Sequence, residues 1–257
     1  MIAFTLAEIA EITGGELHDV PDPQATVTGT VEFDSRKITP GGLFLALPGA
    51  RVDGHDFAAT AVDLGAVAVL AARPVGVPAI VVTPTGRTDS NADIYAHDTD
   101  GSAKAVVDAL SALARAVVTR LPELTVVGIT GSAGKTSTKD LVASVLRSAG
   151  ETIAPPGSFN NEIGHPYTAL RCDGDTRFLV AEMSARGIGH IAHLATIAPP
   201  RIGAVLNVGT AHLGEFGSRE NIAQAKGELV ESLPSAADGG VAILNADDPF
   251  VAAMAPR

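Results

Sequence analysis

The run Gly128-Ile129-Thr130-Gly131-Ser132-Ala133-Gly134-Lys135-Thr136 constrains this chain more than any other segment. The β-branched residues Thr125-Val126-Val127 precede it and read as the end of a buried strand. Leu141, Val142, Val145 and Leu146 follow at helical spacing, and Gly150 offers a C-terminal stop. A strand, a glycine loop and a helix N-terminus in that order gather backbone N–H groups around one anionic cavity. Lys135 is placed to reach the outer phosphates of a nucleotide, and the Thr136 hydroxyl to ligate Mg²⁺. The strict spacing G-x-x-x-x-G-K-[ST] wants glycine where Ile129 stands; the glycines fall at Gly128 and Gly131 instead. Glycines alone also serve ordinary tight turns. Gly-Lys-Thr opening a helix straight after a strand favours phosphate binding, with Thr130, Gly131, Ser132, Ala133, Gly134, Lys135, Thr136 and Ser137 as the expected cradle.

Composition narrows the class. A chain of 257 residues can build one large or two ordinary domains. Its formal charge of −11 argues against a general nucleic-acid or anionic-membrane surface, which needs clustered Lys and Arg. An anionic ligand must therefore be met locally. A single cysteine, Cys172, excludes an internal disulfide and fits a reducing compartment. Glu8 and Glu11 interrupt the apolar residues near the N-terminus, which does not read as a signal peptide. No stretch approaches the roughly 18 apolar residues of a membrane span. The expectation is a soluble, cytoplasmic protein that neither binds nucleic acid nor inserts in membrane.

Two units are expected. The first, residues 1–84, holds apolar runs at 43–47, 66–70 and 79–82, with a helix near 55–64 closed by Gly65. Residues 85–120 read as a solvated acidic linker and a connecting helix from about Ala103 to Arg120. The linker carries Asp89, Asp93, Asp98 and Asp100; Asp98-Thr99-Asp100-Gly101 is a fragment of a calcium loop without its closing Glu. The second unit, 121–257, alternates strands near 125–129, 178–183, 202–208 and 241–244 with helices near 135–148, 188–197 and 219–233. That alternation predicts an α/β fold with a mostly parallel sheet flanked by helices. Ligands in such sheets lie outside the carboxyl ends of the strands. Glu182 falls there, either as a magnesium ligand or as a strand-end carboxylate facing solvent. His212 opens on the same edge, although a lone histidine is more often a surface or capping residue. Lys226 falls mid-helix, where lysine is ordinarily a solvated face residue.

The segment Gly128 to Lys139 resembles the phosphate loop of the Mur ligases, which carry glycines at these positions. Five further segments match in order. They are Asp34-Ser35-Arg36 with Pro40-Gly41-Gly42-Leu43-Phe44 and Asp53-Gly54-His55-Asp56-Phe57; Asn160-Asn161-Glu162-Ile163-Gly164-x-Pro166; Glu182; Asn207 to Ser218 leading to Lys226; and Leu244-Asn245-Ala246-Asp247. The resemblance implies a small N-terminal uridine-binding α/β domain followed by a P-loop domain. It also implies an ATP- and Mg²⁺-dependent amide ligase of peptidoglycan precursor synthesis. Within the family, the N-terminal and Asn160 elements are similar to the branch that joins D-alanyl-D-alanine to UDP-N-acetylmuramoyl-tripeptide through an acyl phosphate.

By the same resemblance, Lys135, Glu182, His212 and Lys226 are catalytic. Thr136 and Glu182 hold one Mg²⁺, and His212 with a carbamylated Lys226 holds a second. Asp34, Ser35 and Arg36 grip the uridine diphosphate end, against the bland reading of a tight turn bonded to its own backbone. Asn160 and Asn161 line the substrate passage, and Asn245 lies near the adenosine. Family members carry a third, carboxy-terminal domain, whereas this sequence stops at Arg257; a poorly active or inactive fragment is expected. Two alternatives stay open: another ligase of the family, amino-acid-adding or folylpolyglutamate-type, and a non-catalytic nucleotide-binding module. A GTPase would want Asn-Lys-x-Asp where the chain has Asn245-Ala246-Asp247-Asp248.

Overall fold

The computed structural model describes residues 1–49, 52–86, 95–211 and 213–257, which form two units, Met1–Val117 and Val118–Arg257. In the first unit a short strand, β1 (Phe4–Thr5), runs straight into helix α1 (Leu6–Thr13). Thr5 and Glu8 exchange hydrogen bonds as a capping box, the Thr5 hydroxyl accepting from the Glu8 N–H at 3.1 Å and the Glu8 carboxylate from the Thr5 N–H at 2.8 Å. Strands β2 (Glu16–His18), β3 (Thr26–Val27), β4 (Val31–Glu32) and β5 (Gly42–Leu45) follow, then helix α2 (Ala58–Asp63), β6 (Ala66–Ala71), β7 (Ala79–Val81) and helix α3 (Ser102–Thr119). The main sheet has the order β2-β7-β6-β5-β4, parallel except for β2 against β7, while β1 and β3 pair separately.

The expected helix near 55–64 starts as a 3₁₀ turn, Gly54–Phe57, before α2 takes over. Gly65 closes it with φ +110°, a backbone conformation that favours glycine. Asp89 and Asp93 lie outside the described residues. Asp98 is not the solvated linker residue expected: it is buried, and its two oxygens accept from the Ala103 and Lys104 N–H groups at 3.1 and 2.9 Å. Those are first-turn donors of α3 that lack intrahelical partners, so the carboxylate caps the helix and complements its dipole.

The second unit alternates as the sequence suggests. Its elements are β8 (Thr125–Thr130), α4 (Lys135–Leu146), β9 (Glu151–Ile153), α5 (Gly164–Ala169), β10 (Thr176–Glu182), α6 (His190–Ile197), β11 (Ile202–Val205), α7 (Leu213–Phe216), α8 (Arg219–Glu231), β12 (Val241–Leu244) and α9 (Pro249–Ala252). All five strands are parallel, in the order β12-β11-β8-β10-β9. Register brings Glu182 of β10 opposite Ile129 of β8, and Val205 of β11 opposite Thr130. The carboxyl ends of three neighbouring strands therefore finish at one level. Strand β11 is shorter than the expected 202–208, ending at Val205, although the Leu206 N–H still donates to the carbonyl of Thr130, the last residue of β8.

Alternation along β8 explains the departure from the strict glycine spacing. Val127 and Ile129 point to one side, into a core with Ala143 of α4, Val180 of β10 and Ala204 of β11. Gly128 points the other way, where an added Cβ would lie 2.8 Å from the Leu229 side chain of α8. A Cβ added to its register partner Gly203 would lie 3.1–3.2 Å from Leu229 and Leu233, also tight but less so. Two glycines side by side thus make the shallow floor on which α8 packs, and the fully buried Ile129 fills the opposite face. Ile129→Gly, which would restore the strict spacing, is expected to lower the unfolding free energy by about 3–5 kcal/mol, from the cavity and the added backbone freedom. A denaturant titration reads this directly, and an unchanged midpoint would contradict the packing role of Ile129.

Candidate nucleotide and metal site

The glycine loop crosses the four residues, 131–134, between the end of β8 and the start of α4. Gly134 takes φ +83° as the residue that opens the helix, and no side chain caps it. The first-turn N–H groups of α4 are thereby left for an anion. An added Cβ at Gly131 would fall 2.9 Å from the Leu206 Cβ, so glycine is needed for the loop to lie against the segment after β11. The Lys135 ammonium folds back over the loop and donates to the Gly131 carbonyl at 3.0 Å.

Asn207 clasps this loop from the side, a role invisible in residue type or spacing. Its Oδ1 accepts from the Ala133 N–H at 3.0 Å and its Nδ2 donates to the Ala133 carbonyl at 3.1 Å. The Ser132 N–H donates to the Asn207 carbonyl, and the Ser132 hydroxyl accepts from the Gly209 N–H at 2.9 Å. Ser132 and Ala133 are thus engaged with residues 207–209. Asn245, after β12, donates to the Leu206 carbonyl at 2.9 Å and accepts from the Asp247 N–H at 3.0 Å. It lies on the same carboxyl edge.

At the end of β10, Glu182 is 1% exposed and does not face solvent as a free strand-end carboxylate. Its Oε2 accepts from the Thr136 hydroxyl at 2.9 Å and its Oε1 from the Asn160 Nδ2 at 2.7 Å. With its proton given to Glu182, the Thr136 oxygen accepts from the Ser158 hydroxyl at 3.0 Å. The structure therefore joins Thr136, Glu182 and Asn160, three residues far apart in sequence, and adds Ser158. Asn161 does different work: its Oδ1 accepts from the Gly164 N–H at 2.9 Å and shapes the entry to α5.

Lys226, on α8, is not on a solvated face; it is buried at 5% exposure. His212 lies outside the described residues. Two positions beyond Lys226, the buried Glu228 accepts from the Gly189 and Ala192 N–H groups at 2.5 and 3.0 Å, capping α6, which has no cap of its own. That contact fixes α8 against α6. Among the described residues no three His, Cys, Asp or Glu side chains converge as a metal cluster.

In the N-terminal unit the Asp34 carboxylate caps the 3₁₀ turn Ser35–Lys37 and takes a bidentate pair from the Arg36 Nε and Nη2, both at 2.8 Å. The Arg36 guanidinium holds the Asp34 carboxyl down to about 2. Ser35 is buried beneath this turn. Arg36 remains exposed, with two of its five N–H groups given to Asp34. The next matching element is also a capped turn. The His55 Nε2 accepts from the Ala72 N–H at 3.0 Å, so its Nδ1 carries the proton and donates to Asp53 at 2.6 Å. Burial opposes ionisation of Asp53, but the His55 N–H, the His55 ring and Arg73 together hold it down to about 2.

Burial, and then the charge of Lys135, push the Lys226 ammonium down from 10.5 to about 8. The unfolded chain keeps that proton to a higher pH than the fold does. Stability is therefore expected to rise between about pH 8 and 10.5, by up to roughly 3 kcal/mol. Lys226→Met keeps the buried stem and should flatten this rise in denaturant titrations across that window; an identical rise in the variant would contradict the burial of Lys226.

Comparison with known proteins agrees with this architecture. The Mur ligase middle domain matches residues 129–257, and a second model, the Mur ligase family catalytic domain, matches residues 29–118. A UDP-N-acetylmuramoyl-tripeptide--D-alanyl-D-alanine ligase of Mycobacterium tuberculosis is 62% identical over 260 residues, covering 99% of this chain and 50% of the relative. The Escherichia coli enzyme of the same name is 37% identical over 250 residues, covering 96% of this chain and 49% of the relative. A crystal structure of MurF from Acinetobacter baumannii superimposes with a TM-score of 0.82 at 31% identity, over 100% of this chain and 51% of that one. MurF ligase from Thermotoga maritima in complex with ADP gives a TM-score of 0.69 at 35% identity, over 90% of this chain and 49% of that one. The chain spans about half the length of the curated relatives it matches. Family models across both units, and solved structures of the same architecture, converge on one conclusion: the chain belongs to the Mur ligase family.

Proposed function

We propose that these two units carry the nucleotide and muramoyl-peptide sites of an ATP-dependent ligase that joins D-alanyl-D-alanine to UDP-N-acetylmuramoyl-tripeptide. The observation that carries the reading is the meeting of Lys135, Thr136 and Glu182 at the carboxyl edge of a parallel sheet, beside an uncapped helix N-terminus. The names of the relatives supply the substrates, and the ADP bound to the Thermotoga maritima neighbour supports a nucleotide at this loop.

The donor set suits Mg²⁺. A hydroxyl and a carboxylate oxygen 2.9 Å apart are hard ligands, and Mg²⁺ characteristically takes one or two protein oxygens and completes its shell with phosphate and water. Thr136 and Glu182 would hold that ion, which supplies positive charge against the β- and γ-phosphate oxygens. His212 and a carbamylated Lys226 would hold a second. The lowered pKa of Lys226 favours carbamylation, because a neutral amine is the form that adds CO₂. Asn245 would approach the adenosine.

The reaction has two transfers. The tripeptide's terminal carboxylate attacks the γ-phosphorus and forms an acyl phosphate, with ADP leaving. The amine of D-alanyl-D-alanine then attacks the acyl carbon, and phosphate leaves as the amide forms. A carboxylate and ATP repel each other, so the chief task of the site is to neutralise and align them. Lys135 and the free N–H groups of α4 serve the phosphates, while Asn160 and Asn161 border the incoming carboxylate. In the N-terminal unit Arg36 keeps three N–H groups for a diphosphate, held in place by its pair with Asp34 and the turn around Ser35.

Calorimetric titration with a non-hydrolysable ATP analogue tests this reading. The 257-residue chain should bind the analogue more tightly with Mg²⁺ present. Lys135→Ala should weaken binding at least about tenfold, equivalent to about 1.4 kcal/mol, and Glu182→Gln should remove the Mg²⁺ enhancement. A chain that binds no nucleotide under either condition would overturn the proposal.

A further inference from the structure

We infer that Lys139, which the mechanism above does not use, is the positioning residue that holds the metal–nucleotide site together; this rests on the proposed nucleotide reading. A lysine three residues beyond Thr136 on a helix that opens a phosphate loop would ordinarily reach solvent. Here Lys139 is 1% exposed. An ammonium removed from water costs several kcal/mol unless its N–H groups are bonded. The ammonium donates to the Pro155 carbonyl at 2.8 Å and the Gly157 carbonyl at 3.2 Å, and it forms an ion pair with the Asp140 Oδ1 at 2.7 Å.

Two of those acceptors belong to the segment after β9, which approaches the site from across the sheet edge. Pro155 and Pro156 fix two successive φ angles, making this segment a stiff strut. Gly157 then turns the chain in the left-handed region at φ +61°. The residues that follow reach the candidate metal ligands. Ser158 donates to Thr136, and Asn160 donates to Glu182. A closed circuit results. Helix α4 presents Thr136 to Glu182 and, one turn on, presents Lys139 to the strut; the strut returns Ser158 and Asn160 to the same pair. Releasing the strut would strand a buried charge, so the segment is pinned before any nucleotide arrives. With both Glu182 oxygens and the Thr136 hydroxyl oriented in advance, the site need not reorganise on binding.

This role differs from simple core stability, because Lys139 touches neither the loop amides nor Lys135 among the described contacts. Its loss should therefore act on the metal-dependent part of binding. The test compares the 257-residue chain, Lys139→Met and Ser158→Ala, titrated with a non-hydrolysable ATP analogue with and without Mg²⁺, with thermal melts alongside. Lys139→Met keeps the apolar stem but removes the ammonium with both of its carbonyl bonds and its ion pair. The expected result is an affinity without Mg²⁺ within about twofold of wild type, and a Mg²⁺ enhancement reduced at least about fivefold. Ser158→Ala should show a smaller loss of the same kind with an unchanged melt. A wild-type Mg²⁺ enhancement in a folded Lys139→Met overturns the inference, as does an equal loss with and without Mg²⁺. Should Lys139→Met fail to fold, Ser158→Ala decides alone, a wild-type enhancement there counting against it. A wild-type chain that binds no nucleotide at all sinks the functional reading itself, and this inference with it.

Discussion

A carboxylate at the end of a central parallel strand, shut away from water, is the constraint on which the second unit turns. Glu182 cannot occupy that place without a donor for each oxygen, since a buried unpaired charge would cost more than most single contacts return. The donors arrive from two separate elements. Thr136 opens α4 and Asn160 stands ahead of α5. Satisfying one buried group therefore fixes the start of a helix, a connecting segment and a strand end in one arrangement. Under the proposed function, that arrangement is also the one an Mg²⁺-bound triphosphate would need, and the electrostatics that stabilise the fold would then also prepare the site.

The sheet behind the site is built to let helices approach from both faces. On β8 the alternation of glycine and isoleucine divides two tasks between successive residues: Gly128 with Gly203 admits α8, and Ile129 closes the core under α4. Helix α8 can then bury Lys226 near enough to Lys135 for the two charges to be felt. Glu228 secures the far side of α8 by capping α6. Backbone geometry, helix packing and the perturbed lysine thus belong to one causal chain that begins with two missing side chains.

Much of this was legible in sequence, and the reasons differ by element. Apolar and β-branched runs mark β8, β10 and β12, and helical spacing marks α4 and α8; burial sharpens the signal in β8, β10 and α8, whereas β12 and the Leu141 and Val145 positions of α4 stay exposed. Helix α1 has only a short apolar period, its clearest sequence sign being the capping box of Thr5 and Glu8, and β9 and α5 are too short to show a period. Lys226 reads as a solvated face residue and Lys139 gives no signal beyond closing the loop segment, since a lysine's burial depends on neighbours far off in the chain. The acidic stretch read as a linker, yet Asp98 caps α3. Asn207 gave no signal of its own, because the backbone groups it clasps belong to a loop 74 positions away. The Mur ligase resemblance pointed to Glu182 and Asn160 but not to their hydrogen bonds, which only the fold brings together.

Under the proposed function, the carboxyl edge of this sheet would hold a metal–triphosphate at Thr136 and Glu182. A crystal structure of the chain with a non-hydrolysable ATP analogue and Mn²⁺, collected at the manganese absorption edge, tests it most directly. The expected result is an anomalous peak beside the nucleotide phosphates, with the Thr136 hydroxyl and the Glu182 carboxylate next to it. A nucleotide bound away from the Gly131–Thr136 loop, or a manganese peak remote from both side chains, would contradict it.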